Sequence, residues 1–143
     1  MLENIKVSEW MSSPVTTITP DTPITDAHQI MKEKNIRRLP VVGKQGKLVG
    51  IITIGDVREA KPSDATTLSI WEMNYLLSKL KVEKVMTKDP ITVNQNAPIL
   101  DAAQLMLEHK ISGLPVVDDE GKLVGILTES DIFRMLVKSR VNA

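Results

Sequence analysis

Two short motifs hold the side chains with the plainest chemical use, Thr53-Ile54-Gly55-Asp56 and Thr128-Glu129-Ser130-Asp131. In each, a threonine stands three residues before an aspartate, the spacing of a capping box, so each motif should open a helix. The first turn of a helix leaves backbone N–H groups without intrahelical partners and favours anions. An aspartate there can accept two hydrogen bonds, from the 2′- and 3′-hydroxyls of a ribose, and the threonine hydroxyl can bond ribose or phosphate. The competing reading is a cap that needs no ligand. The two are compatible, because the cap uses one carboxylate oxygen and leaves lone pairs free. A third motif, Ile36-Arg37-Arg38-Leu39-Pro40, sets two guanidinium groups before a Leu-Pro pair. Guanidinium forks match phosphate oxygens, although arginines are most often simply solvated. Arg58 and Arg134, one turn beyond the aspartates, are within reach of a phosphate but read more simply as solvated helix residues.

Other chemistry is sparse. The chain has 143 residues and no cysteine, which excludes disulfides, thiolate metal sites and cysteine nucleophiles. His28 and His109 are too few for a histidine-based metal site and fall at non-equivalent helix positions, so both read as surface residues. Asp118-Asp119-Glu120 reads as a solvated turn. No metal site and no catalytic constellation of base, nucleophile and metal emerges, so no cofactor is required and an enzyme is not expected. Eighteen basic and eighteen acidic residues cancel to a net charge of zero, which argues against sequence-independent nucleic-acid binding. No apolar run approaches the about 18 residues of a membrane span. The segment MLENIKVSEW lacks the charge and apolar stretch of a signal peptide, so the expected location is cytoplasmic. Only four residues are aromatic (two Trp, one Tyr, one Phe), which leaves an aliphatic core with methionine, including Met11 and Met86, as gap-filler.

The elements that must position these residues come from an internal repeat. A shift of 75 positions aligns 7–58 with 82–133 without gaps, and 23 of those 52 positions are identical. The densest block runs Leu39-Pro40-Val41-Val42, Gly46-Lys47-Leu48-Val49-Gly50-Ile51, Thr53 and Asp56; its partner runs from Leu114 to Asp131. Each copy predicts a strand (Val15 to Ile18; Ile91 to Val93), then a helix opened at Thr22-Pro23 or Ala97-Pro98 with the first of each pair as N-cap. A hairpin of two apolar strands follows, turning at Gly46 or Gly121, where a positive φ suits glycine. The T-x-x-D motif then opens the last helix. The fold expected is mixed α/β: two β-α-β-β-α repeats, 5–60 and 82–138, packed about a pseudo-twofold axis with small sheets flanked by helices. The segment 61–81 joins them: a turn at Lys61-Pro62-Ser63-Asp64, then a helix with the capping box Ser69-x-x-Glu72 and an apolar side of Leu68, Trp71, Met73, Leu76, Leu77 and Leu80, crossing from one copy to the other.

The doubled pattern Leu-Pro-Val-Val, Gly-Lys-Leu-Val-Gly-Ile, Thr-x-x-Asp resembles the CBS domain, named for cystathionine β-synthase. Two copies in one chain resemble a CBS pair, or Bateman module, over residues 5–137. The resemblance implies a module that holds AMP, ADP or ATP, with S-adenosylmethionine or NAD as further possibilities, in clefts between the repeats. It implies that Asp131 and Thr128, or Asp56 and Thr53, hold the ribose. Ile36, Arg37 and Arg38, or Ile111, Ser112 and Gly113, would face adenine and phosphate, with Thr17 and Thr92 in the segment walling the adenine. The ribose aspartate of one repeat would meet the pre-Leu-Pro segment of the other. The arginines make the site of Asp131 with Ile36 to Arg38 the better phosphate site, and Asp56 ranks second. A homodimer that regulates a separate protein partner is implied. The alternative is a structural or dimerisation module without ligand, using the apolar connector helix.

Overall fold

The computed structural model describes residues 2–61 and 67–140. The expected turn at Pro62-Ser63-Asp64 lies outside them. The chain is a mixture of α and β, with five α-helices and two three-stranded sheets among the described residues. It divides into two compact units, residues 16–90 and a second made of 1–15 together with 91–143.

In the unit 16–90, α1 (Ile24–Lys34) leads to the antiparallel hairpin of β1 (Arg38–Val42) and β2 (Leu48–Thr53), then to α2 (Ile54–Ala60) and α3 (Ile70–Lys79). A short strand, β3 (Thr87–Lys88), adds to the free edge of β2. The predicted strand at Val15 to Ile18 is reduced to one parallel bridge between Ile18 and Val41. Pro20 explains the loss. The equivalent Gln95 donates its N–H to the Val117 carbonyl at 2.9 Å, a rung that proline cannot supply.

The second unit repeats the plan. Here the outer row is a true strand, β4 (Val93–Asn94), parallel to β5 (Gly113–Val117), which pairs antiparallel with β6 (Leu123–Thr128). Helix α4 (Ile99–His109) precedes the hairpin and α5 (Glu129–Ser139) follows it. Ser12 bridges Ile126 where β3 stands in the other unit. The hairpin turns place Gly46 and Gly121 at φ of 73° and 81°, in the left-handed region that glycine enters without strain.

The two sequence repeats exchange their edges. Residues 2–15 belong by sequence to the first repeat but pack on the second; 80–90 pack on the first. Val7 donates to the Ala97 carbonyl at 2.9 Å, and Val82 to the Thr22 carbonyl at 2.8 Å. The exchanged segments also start the helices. The Ile24 N–H reaches the Leu80 carbonyl and the Ile99 N–H the Ile5 carbonyl, each at 2.8 Å. This corrects the predicted caps. Pro23 and Pro98, with ψ of 144° and 138°, are the N-cap residues, and no N-cap side chain bonds either helix. A tertiary backbone carbonyl satisfies the orphan N–H that threonine would otherwise have served.

Each unit has its own aliphatic core. One is built on Ile24, Met31, Leu39, Val41, Ile52 and Val82, the other on Val7, Ile99, Met106, Leu114, Leu127 and Met135. Met11 and Met86 occupy specific seats within these units: a Cβ built on Gly125 would stand 2.5 Å from the Met11 sulfur, and Met86 covers Gly50 in the same way. The connector helix forms as predicted, Ser69 Oγ accepting from Glu72 N at 3.1 Å. Its apolar side is divided. Leu77 and Leu80 pack on the core of 16–90, whereas Trp71 is 80% exposed. Among the described residues no helix is long and apolar enough to cross a membrane.

Candidate functional site

In both units the candidate residues gather at one end of the sheet. The last residue of β2, Thr53, pairs with Arg38, the first of β1. Helix α2 starts at the next residue, and its Ile54 N–H donates to the Arg37 carbonyl at 2.8 Å. Ile36 to Arg38 and Thr53 to Asp56 are thus pinned together by backbone. Thr17 lies one row over, beside Ile18, whose N–H donates to the Pro40 carbonyl at 3.1 Å. The second unit does the same: Gly113 pairs with Thr128, Glu129 N donates to the Ser112 carbonyl at 3.0 Å, and Thr92 precedes β4 in the neighbouring row. A strand end, a helix start and a pre-Leu-Pro segment converge because the hairpin register forces them to.

The side chains of the two helix starts differ. At the first, Thr53 and Asp56 form a reciprocal capping box: Asp56 N donates to Thr53 Oγ1 at 3.1 Å, and Thr53 N donates to Asp56 Oδ2 at 2.9 Å. Asp56 is half-buried, and among the described residues it has no ion-pair partner. At the second, Asp131 is 3% exposed. Its Oδ2 accepts from Thr128 N at 2.8 Å and from the Thr128 hydroxyl at 3.2 Å. Its Oδ1 is paired with the Arg134 guanidinium. Burial of a carboxylate is tolerable because a cation and two further donors face it.

Arg134 is therefore not the solvated residue that the sequence suggested. Its side chain is half exposed but bound to Asp131 at i, i+3, a helical neighbour spacing. That spacing was legible, and the matching position in the first repeat, Glu59, carries the opposite charge. Arg58 is exposed, and so is Arg37. Arg38 and Ser112 are engaged within the structure.

The remaining candidates stay away from this chemistry. His109 is exposed, and His28 is half-buried on α1; burial, followed by the positive charges of Lys61, Lys32 and Arg58, lowers its pKa from the usual histidine value. The acidic turn is held by its own backbone: Asp118 Oδ1 accepts from Glu120 N and Lys122 N, each at 2.9 Å. No cluster able to hold a metal ion occurs among the described residues.

Comparison with known proteins places this geometry. The family model described as CBS domain matches residues 7–63 and again 82–138. The chain belongs to the CBS-domain family, as a tandem pair. A CBS domain-containing protein of Dictyostelium discoideum is 36% identical over 134 residues, covering 94% of this chain and 92% of that one. A homoserine O-acetyltransferase of Methanococcoides burtonii is 36% identical over 135 residues, but this chain spans only 25% of it. Among solved structures, the CBS domain pair of protein MJ0100, in complex with 5′-methylthioadenosine and S-adenosyl-L-methionine, superposes with a TM-score of 0.78 at 34% identity, covering 94% of this chain and 98% of that one. CBSX2 in complex with AMP gives a TM-score of 0.77 at 33% identity, with the same coverages. Both of these CBS pairs were solved with adenosine compounds.

Proposed function

We propose that this chain is a regulatory module that binds an adenosine nucleotide of the AMP, ADP or ATP type. Asp131 and Asp56 accept the ribose hydroxyls, assisted by Thr128 and Thr53. The pre-Leu-Pro segments, Ile36-Arg37-Arg38 and Ile111-Ser112-Gly113, take adenine and phosphate, and Thr17 and Thr92 line the adenine side. The module acts as a cytoplasmic homodimer on a separate protein, without catalysing a reaction of its own. The observation that carries the reading is the convergence, in both units, of an aspartate at a helix start with a strand end and a pre-Leu-Pro turn, in a chain 33% identical to a pair solved with AMP. Arg37, exposed beside this convergence, favours a phosphorylated ligand.

A thermal-unfolding panel with AMP, ADP, ATP, NADH and S-adenosylmethionine tests it. A ligand at a hundred times its Kd stabilises the native state by about 2.7 kcal/mol, a rise of several degrees. The rise should appear with a nucleotide and fall when Asp131→Ala and Asp56→Ala are combined. Absence of any rise with all five compounds would favour a structural module, whose exposed Trp71 on α3 then becomes the surface to probe.

A further inference from the structure

We infer that Arg134 selects the ligand at the Asp131 site: it is the internal counter-ion of that carboxylate, released by a ribose and recaptured by a phosphate on the same ligand. The inference rests on the adenosine-binding reading above and narrows it to ligands with an anionic 5′ group.

Asp131 is buried and both of its oxygens are engaged, Oδ2 by Thr128 and Oδ1 by Arg134. Three of the about four lone-pair sites of the carboxylate are taken, so a ribose diol that places both hydroxyls on it must displace the guanidinium. A neutral diol is a weaker partner for a buried carboxylate than a cation is, because its hydroxyl bonds, although charge-assisted, lack the attraction between two opposite full charges. Displacement therefore leaves a deficit unless the ligand supplies a new partner for Arg134. Adenosine and 5′-methylthioadenosine carry no charge to offer, and S-adenosylmethionine places a sulfonium, the wrong charge, at the 5′ position and its carboxylate only at the far end of the methionyl tail. AMP, ADP and ATP carry phosphate one carbon from the ribose ring. Arg134 starts at the carboxylate that would hold that ribose, and its side chain is 50% exposed, so it can turn without unpacking a core.

The first repeat lacks the device. Glu59 stands where Arg134 does, and among the described residues Asp56 is held by the threonine box alone. The two sites should therefore differ in what they admit: the Asp56 site accepts an adenosine compound, phosphorylated or not, without displacing an internal counter-ion, and the Asp131 site favours a phosphorylated one.

Calorimetric titration of the whole chain with adenosine and with AMP tests this, using the wild type, Arg134→Gln and Arg134→Lys, each also with Asp56→Asn so that only the Asp131 site is read. The expected result is a preference for AMP over adenosine of about tenfold or more in the parent, in line with one charge-assisted bond. In Arg134→Gln the preference should fall towards unity, with adenosine bound more tightly than by the parent. Arg134→Lys, which keeps the charge and loses the fork, should lie between. Thermal unfolding confirms that each variant is folded. An unchanged preference in Arg134→Gln, or an equal loss for both compounds, overturns the role of Arg134 and leaves the nucleotide reading standing. Failure of every protein to bind either compound overturns both.

Discussion

The two units share a fold and a motif but not an electrostatic arrangement. Thr53 and Thr128 end equivalent strands, and Asp56 and Asp131 sit three residues later at the starts of equivalent helices. One aspartate is half-buried and spends a single oxygen on the cap. The other is buried and has both oxygens engaged, because the second repeat has an arginine where the first has a glutamate. Identical motif residues thus arrive at different chemistry through a neighbour outside the motif. The two copies keep the frame of the site and carry opposite charges at i+3.

The sharpest way to break the comparison is at the glycines that receive the exchanged methionines. A Cβ at Gly50 would stand 2.9 Å from the Thr87 carbonyl oxygen, and one at Gly125 would stand 3.1 Å from that of Ser12. Overpacking costs about 1–3 kcal/mol, so Gly50→Ala should sit near the upper end and Gly125→Ala lower, measured as urea midpoints at unchanged slope. Adding Met86→Ala should restore Gly50→Ala only in part, since a backbone oxygen remains. Full rescue would mean that the methionine alone sets the fit.

Next in size are the aspartates. Asp131→Ala removes a charge-assisted bond and a cap together, a loss of about 2–3 kcal/mol, whereas Asp56→Ala removes a cap at about 1 kcal/mol. Equal losses would erase the distinction between the sites. A smaller effect lies at the C-caps of α1 and α4, where Asn35 and Lys110 adopt φ of 53° and 54°. Asparagine enters the left-handed region more cheaply than lysine, so Lys110→Gly should stabilise by about 0.5 kcal/mol while Asn35→Gly changes little. The smallest effect is electrostatic. His28 has a lowered folded pKa, so the unfolded chain takes up the proton first and stability drops as the pH falls through about 6.5. His28→Ala, which installs the residue of the second repeat (Ala103), should lose less stability than the parent between pH 7 and pH 5 and should match it above pH 7.5.

Much of this was legible in the sequence. The hairpin strands Leu48–Thr53 and Leu123–Thr128, the glycine turns, the connector capping box and the T-x-x-D helix starts all rest on local signals, and they form as expected. Two features were hidden because their causes are tertiary. Thr22 looked like an N-cap, but the Leu80 carbonyl from the far end of the connector does that work. Met11 and Met86 looked like generic filler, because nothing local says that each would cross to the other repeat's hairpin. Arg134 was hidden differently. Its spacing from Asp131 was in plain view, but arginine's usual exposure argued against a bound role until the burial of Asp131 was known.

The exchanged edges bear on how such a chain could arise. A lone repeat would carry an N-terminal arm of the kind that seats, in this chain, on the hairpin of the other copy. Its simplest complete form is a pair of chains that trade arms, each finishing the other's sheet. Joining the two genes end to end converts that trade into an intramolecular one and removes its dependence on concentration. It also frees each copy to mutate alone, the condition under which position 59 and position 134 could acquire opposite charges.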